Sequence, residues 1–413
     1  MTRKRGTEVP DLKGEEFYRI KRLPPYVFEE VNKLKASLRA EGRDIIDFGF
    51  GNPDGATPQH VIDKLIETVQ KPRTTGYSVS RGILGLRQAC ARYYERRFGV
   101  ELDPVTEIVA TMGSKEGFAN LAQAITRPGD VILAPDPSYP LHNFGFVIAG
   151  AKIVGIPAFA ADDYLKGVKA YLAENPAPMA MVVCFPSNPT GMSADLDFYM
   201  EVVRIAQEHS IIVLSDLAYS EIYFGDPPPS ILQVDGAKDV AIETISLSKT
   251  YSMAGWRMGF AVGSPNLIAA LARVKSYLDY GAFTPIQVAA CAALDGPQDV
   301  VEQNRAMYRH RRDVLVEAFG RQGWDITPPE ASMFVWAPIP EAYRHLGSLE
   351  FSKRLMLGAD IAASPGIGFG PNGDGFVRFA LVENEQRIRQ AARNLKAFLA
   401  GADSADDSLV TAV

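Results

Sequence analysis

"AIETISLSKTYSMAGWRMGFAVG", residues 241–263, holds two short apolar runs separated by a turn rich in serine, with Lys249 inside the turn and Arg257 eight residues beyond it. The first run is dense in Ile and Thr and is short enough for a strand buried on both faces. Lys249 therefore stands at the end of a buried strand, flanked by Ile245, Leu247, Met253, Trp256, Met258 and Phe260. Partial burial is costly for an ammonium unless it is paired or neutralised. One solution keeps the amine uncharged, as an imine.

Working outward, the same alternation extends from about residue 105. The strand-like runs are "TEIVATM" (106–112), "DVILAPD" (130–136), "AKIVGIPA" (151–158), "MAMVVCF" (179–185), "IIVLSD" (211–216), "AIETISL" (241–247) and "MGFAVG" (258–263). Helical patterns separate them from Gly113, from Ser138, over 162–176 and over 194–210. Short Val- and Ile-rich strands alternating with helices predict an α/β fold whose mostly parallel sheet is flanked by helices. Ligands of such sheets collect at the carboxyl ends of the strands. Ser114, Asn188, Asp216 and the 246–249 stretch all follow strands there, which predicts one shared crevice. A smaller α+β unit follows, with a long helical run (299–323), "SMFVWAP" (332–338), "DGFVRFAL" (374–381) and a closing helix (385–400). The expected organisation is an arm over 1–47 belonging to the small domain, a large domain over 48–294, a small domain over 295–400 and a disordered tail over 401–413.

The 413 residues exceed one ordinary core. Lys plus Arg number 43 against 49 Asp plus Glu, a net charge of -6 that argues against nucleic acid as a partner. The basic start, "MTRKRG", leads into "EVPDLKGEE" and not into an apolar stretch, so no signal peptide is expected. No run approaches the roughly 18 apolar residues of a membrane span. Cys90, Cys184 and Cys291 lie far apart and read as fillers in a reduced compartment, consistent with a cytoplasmic protein.

Taken singly, the motifs are ambiguous. "CFPSNPTG" (184–191) has ordinary turn residues around Asn188. Asp216 in "SDLAYSE" (215–221) reads equally as a helix N-cap. Together they describe the needs of a phosphorylated aromatic aldehyde. Arg257, Ser246 and Ser248 suit a phosphate. The Ser114–Lys115 turn in "MGSKEGF" opens a helix, where backbone N–H groups favour anions. Tyr139 offers a ring face, and Asp216 can hold a protonated ring nitrogen, the electron sink that carbanion chemistry requires. Lys249 serves as imine partner and then as proton carrier.

In this combination the chain resembles the fold-type I pyridoxal-phosphate aminotransferases of the class I/II group. The likeness runs through "DFGFGNPDGATP" (47–58), "GYSVSRGILGLR" (76–87), "GSKEG", "DPSYP" (136–140), "FPSNPTG", "SDLAYSE", the lysine segment, "SPGIGFG" (364–370) and "VRFALVEN" (377–384). It implies pyridoxal 5'-phosphate as cofactor, Lys249 as the Schiff-base lysine and Asp216 on the pyridine nitrogen. Tyr219 and Asn188 would bond the phenolic oxygen. Ser246, Ser248, Arg257 and Ser114–Lys115 would hold the phosphate, and Tyr139 would stack on the ring. Tyr77 would reach the phosphate across a dimer interface, so the resemblance implies a homodimer with shared sites. Arg378 would clamp the substrate carboxylate with Asn188 and the backbone at Gly51. Lys115 departs from many relatives, which carry glutamine or a small residue there.

Within the group, "RLPPYVF" (22–28) and "SYLDYGAFTPIQVAA" (276–290) look most like bacterial glutamate–pyruvate (alanine) aminotransferases, and next like LL-diaminopimelate aminotransferases. The substrates implied are amino acids and 2-oxo acids, most simply L-alanine with 2-oxoglutarate. Tyr26 and Arg22 from the arm, with Tyr280, would line the side-chain pocket. A carbon–sulfur β-lyase on the same fold is the rival enzyme. A regulator without turnover would need a DNA-binding domain for which this chain has no room.

"GFGPNG" (368–373) and "GFGNPDG" (49–55) imitate dinucleotide fingerprints, but the first leads into a strand and not into a helix. The five histidines have no metal-ligand spacing; His142 and His310 are expected to be structural, and no metal is expected.

Overall fold

The computed structural model describes Phe17 and residues 19–401. Its strands, in chain order, are β1 (Ile46–Asp47), β2 (Ile108–Thr111), β3 (Val131–Asp136), β4 (Lys152–Pro157), β5 (Ala180–Val183), β6 (Ile212–Asp216), β7 (Ala241–Ser246), β8 (Gly259–Gly263), β9 (Phe334–Pro338), β10 (Ile361–Ala362), β11 (Ser364–Pro365) and β12 (Phe376–Ala380).

Seven of these form one sheet in the order β2-β8-β7-β6-β5-β3-β4. The pairs from β4 to β7 are parallel, and β8 alone runs against both its neighbours. β8 returns from β7 through residues 247–258, which hold a helical turn at Leu247–Thr250 and a 3-10 turn at Ala254–Trp256. β2, β5 and β7 are buried along their whole length, and β3 and β6 at all but the first residue, as expected of a sheet covered on both faces. Because β2, β5, β6 and β7 point the same way, the residues following them share one edge. The crevice expected from the sequence is that edge.

A three-stranded antiparallel sheet, β11-β12-β9, and the parallel pair β1-β10 make up the rest. A second hydrophobic cluster joins the helix Asp299–Gly320 to these strands through Leu315, Phe319, Trp324, Val377 and Phe379. "GFGPNG" forms two short 3-10 turns that lead into β12, so no helix follows its glycines.

The expectation of an arm assigns no helix or strand to the first 45 or so residues. The structure has a helix at Val27–Ala40 whose Val31 and Leu38, seven residues apart, pack with Ile45, Met356 and Ala362. That spacing is a helical stripe, though a narrow one on a strongly charged helix. Of the expected tail only Gly401 falls within the described residues. Among the described residues no helix is long and apolar enough to cross a membrane.

Candidate active site

A cavity of about 560 Å³ opens at the carboxyl edge of the large sheet, walled on its other side by the small sheet and the first helix. Lys249 enters it from the one-turn helix Leu247–Thr250, which begins as β7 ends. Its Nζ donates to the Gly51 carbonyl oxygen at 2.6 Å and has no ion pair among the described residues. Burial, then the positive charges of Arg378 and Arg257, pull this amine down to about 8. The structure gives this lysine no carboxylate among the described residues; burial instead makes its proton easier to lose than that of an exposed lysine.

Asp216 ends β6. Its Oδ1 accepts from the Ala218 N–H at 3.2 Å and closes a turn; no helix starts there, so Asp216 is not the helix N-cap that the sequence also allowed. Its Oδ2 lies 2.9 Å from His142 Nε2. The His142 ring is fully buried, on the helix Pro140–Ala149, and its Nδ1 has no hydrogen-bond partner among the described residues. His142, Cys184 and Asp216 bring one ligand atom each within 4.8 Å of one another, the closest approach to a metal-binding group among the described residues. In this structure a hydrogen bond joins two of them. Tyr219 Oη accepts from Asn188 Nδ2 at 3.4 Å, and burial holds its phenol protonated well above the ordinary range.

The anion end has hydroxyls, a guanidinium and a helix start. Ser246 Oγ accepts from the Ser248 N–H at 3.2 Å, and both serines line the cavity with Ser114, Lys115 and Arg257. Arg257 adopts a left-handed backbone (φ 54°) and donates to the Ala254 and Met112 carbonyls. Its guanidinium fills the space where Gly113 (φ +81°) would carry a Cβ, so only glycine fits before the helix Ser114–Ile125. Lys115 Nζ lies 5.8 Å from the Tyr139 ring centroid.

Pyridoxal phosphate fits this donor set. Arg257, two serine hydroxyls and the helix start match a phosphate. Asp216 matches a protonated ring nitrogen, and Lys249 supplies an amine poised near neutrality.

Arg378, on β12, forms the substrate end. It donates to Asn188 Oδ1 (2.8 Å), the Gly49 carbonyl (3.1 Å) and Ser364 Oγ (3.3 Å), while its Nε has no partner among the described residues. The guanidinium carbon lies 4.0 Å from the Phe334 ring centroid and 4.7 Å from that of Phe369. Burial pulls it down to about 10, so it remains charged at neutral pH. No carboxylate pairs with it among the described residues, and a substrate carboxylate would complete it. Gly51 is needed here because a Cβ would come within 2.6 Å of the Phe334 ring.

Tyr26, Tyr139, Asn188 and Gly51 all line this cavity as well. Three expected residues do not. Tyr77 is 91% exposed and lies against Tyr280, itself 65% exposed, with ring centroids 4.8 Å apart and the planes tilted by 40°. Arg22 donates to the Ala151 carbonyl at 2.7 Å and so turns away from the side-chain pocket assigned to it. Sequence reasoning missed His142 as a partner of Asp216, and Phe334, Phe369 and Ser364 around Arg378. His142 lies three residues after Tyr139, one helical turn on, and that spacing was the available signal.

A model of the family described as aminotransferase class I and II matches residues 43–395. The Rhizobium meliloti protein AatC is 61% identical over 399 residues, covering 96% of this chain and 98% of the relative. Glutamate-pyruvate aminotransferase AlaC of Escherichia coli is 52% identical, covering 92% and 93%. An LL-diaminopimelate aminotransferase of Moorella thermoacetica is 44% identical, covering 93% and 98%.

Proposed function

Since the chain belongs to the class I and II aminotransferases, which depend on pyridoxal phosphate, we propose that it moves the amino group of L-alanine to 2-oxoglutarate, giving pyruvate and L-glutamate. The observation that carries the reaction is Lys249, a buried amine held near neutrality in the same cavity as Asp216 and Arg378. Pyridoxal phosphate, when bound, supplies a carbonyl for amines and a ring that withdraws electrons from the substrate Cα.

Each residue has a definable task. Arg378 grips the α-carboxylate as a charged fork, with Asn188 fixing the fork from behind. That grip sets which face of Cα is presented to Lys249. Lys249 Nζ then takes the Cα proton and returns a proton on the same side, which requires an amine that is neutral part of the time near pH 7. Asp216, held by His142, would keep a proton on the ring nitrogen of the bound cofactor. Tyr219 and Asn188 hold the phenolic oxygen, and Ser114, Ser246, Ser248 and Arg257 the phosphate. Tyr77 serves a second copy in a homodimer, consistent with its exposure.

The substrate pair rests on the 52% relative and on Lys115. This cation lines the cavity with no carboxylate partner among the described residues, which suits the second carboxylate of glutamate. LL-diaminopimelate is the second reading, favoured by the 44% relative. The decisive experiment adds L-alanine, L-glutamate or LL-diaminopimelate singly to purified holoenzyme, without keto acid. Bleaching of the cofactor band by alanine and by glutamate, with one keto acid formed per site, is expected. Response to LL-diaminopimelate and not to alanine would replace the substrate assignment; ammonia release in place of stoichiometric keto acid would indicate a lyase.

A further inference from the structure

Away from the cavity, Lys275 is fully buried near the end of the helix Pro265–Leu278. Its Nζ is 2.9 Å from Glu116 Oε1 and 3.0 Å from Asp279 Oδ2. A buried ammonium between two carboxylates is an expensive arrangement unless every group is satisfied. Here each carboxylate has a further task. Glu116 Oε2 accepts from the Met112 N–H at 2.9 Å, closing the turn that ends in Ser114 and Lys115, and Oε1 also accepts from Asn120. The Met112 carbonyl in that turn receives Arg257. Asp279 Oδ1 accepts from the Gly281 N–H at 2.6 Å, and the Asp279 carbonyl accepts from Ser80 Oγ. Gly281 (φ +78°) lies so close to the Val79 carbonyl that a Cβ has no room. The turn 279–281 is thereby fastened to the segment 79–80, and the tilted rings of Tyr280 and Tyr77 meet beside it.

We propose that Lys275 is a positioning residue of the cofactor site, locking the phosphate-holding turn Met112–Lys115 to the exposed pair Tyr77–Tyr280 through Glu116 and Asp279. The inference rests on the cofactor reading above. It explains why a lysine is buried where an apolar side chain would pack more cheaply: the turn holds this copy's phosphate and Tyr77 reaches that of the second copy, so their separation within one chain sets how the two parts meet across the dimer.

The test compares affinity for pyridoxal phosphate with affinity for pyridoxal, which lacks the phosphate, using full-length apoenzyme and its Glu116→Gln, Asp279→Asn and double variants. The ratio of the two dissociation constants isolates the phosphate contribution, which a general loss of stability would not move. Each single variant is expected to lower that ratio about tenfold. The double variant should lose no more than the larger single loss, because both act through Lys275. Asp279→Asn is decisive, since Asp279 is two residues from Gly281 and, among the described residues, its side chain reaches the phosphate turn through Lys275. An unchanged ratio in folded Asp279→Asn would overturn the proposal, whether or not Glu116→Gln folds. A wild-type protein with no preference for the phosphorylated compound would overturn the cofactor reading itself, and this inference with it.

Discussion

His142 Nε2 lies 2.9 Å from Asp216 Oδ2 in a site where the ring is fully buried and the carboxylate nearly so. One oxygen of Asp216 is thus committed to the imidazole and the other to the Ala218 N–H. The carboxylate is fixed before any ligand arrives, so it can stabilise charge in the site without first reorganising.

Replacing Asp216 by Asn keeps the shape and removes the charge. At about 4 Å and an effective dielectric near 20, a unit charge pair is worth about 4 kcal/mol. The expected result is a fall in kcat on the order of a thousandfold, with cofactor still bound. His142→Phe leaves the charge and removes its holder, so a loss of about tenfold is expected, measured as kcat with alanine and 2-oxoglutarate. Equal losses in the two variants would mean that the pair acts as one unit.

The lysine amine makes a pH prediction. Its native value near 8 lies below the ordinary 10.5 because burial penalises the charged form. In apoenzyme, labelling of Lys249 by a small amine-reactive reagent should rise tenfold per pH unit up to about 8 and then level off. Between 8 and 10.5 the unfolded chain holds more protons at this position than the native one, so native stability rises with pH there. The gain is about 3 kcal/mol relative to Lys249→Met. Denaturant midpoints of the two apoproteins across that window check the sign; parallel curves would refute it.

Arg311 ties the glycine loop to the small unit. Its two terminal nitrogens each lie 2.7 Å from an oxygen of Asp54, and Nη1 also reaches the Leu381 carbonyl. The loop so held carries Gly49 and Gly51, whose carbonyls accept from Arg378 and Lys249. Arg311→Lys cannot reproduce the fork. It should cost about 2 kcal/mol of stability and raise KM for both substrates about tenfold, read from steady-state kinetics. A change in kcat alone would separate the loop from substrate binding.

The sheet was legible because its strands, apart from the edge strand β4, are largely buried and therefore read as short, mainly apolar runs; β2 to β8 all lie where such runs fall. The residues following the strands were legible for the same reason, since strand direction fixes which loops meet. Arg22 was not. A long side chain near the chain's start can reach many acceptors, and the Ala151 carbonyl lies 129 residues away in sequence. Phe334 and Phe369 were equally opaque, because an aromatic at the edge of an apolar run looks like core until its arginine is placed. The helix Val27–Ala40 was masked by its many charges, which left too few apolar positions for a clear period.

Gly51 gives the sharpest steric prediction. A Cβ there would come within 2.6 Å of Phe334 Cε1 and 2.7 Å of Cζ, and the same ring lies 4.0 Å from the Arg378 guanidinium carbon. In Gly51→Ala either the ring moves off the arginine or the loop retreats from Lys249. The first outcome weakens the carboxylate grip and should raise KM for alanine and glutamate alike, by about tenfold, with the cofactor spectrum unchanged. The second removes the carbonyl that accepts from the amine at 2.6 Å and should shift the pH dependence of Lys249 labelling in apoenzyme. The double variant Gly51→Ala with Phe334→Leu, which clears the ring edge, should recover most of the loss if the clash is the cause. Failure to recover, with labelling unchanged, would show that the backbone at Gly51 and not its contact with Phe334 governs the site.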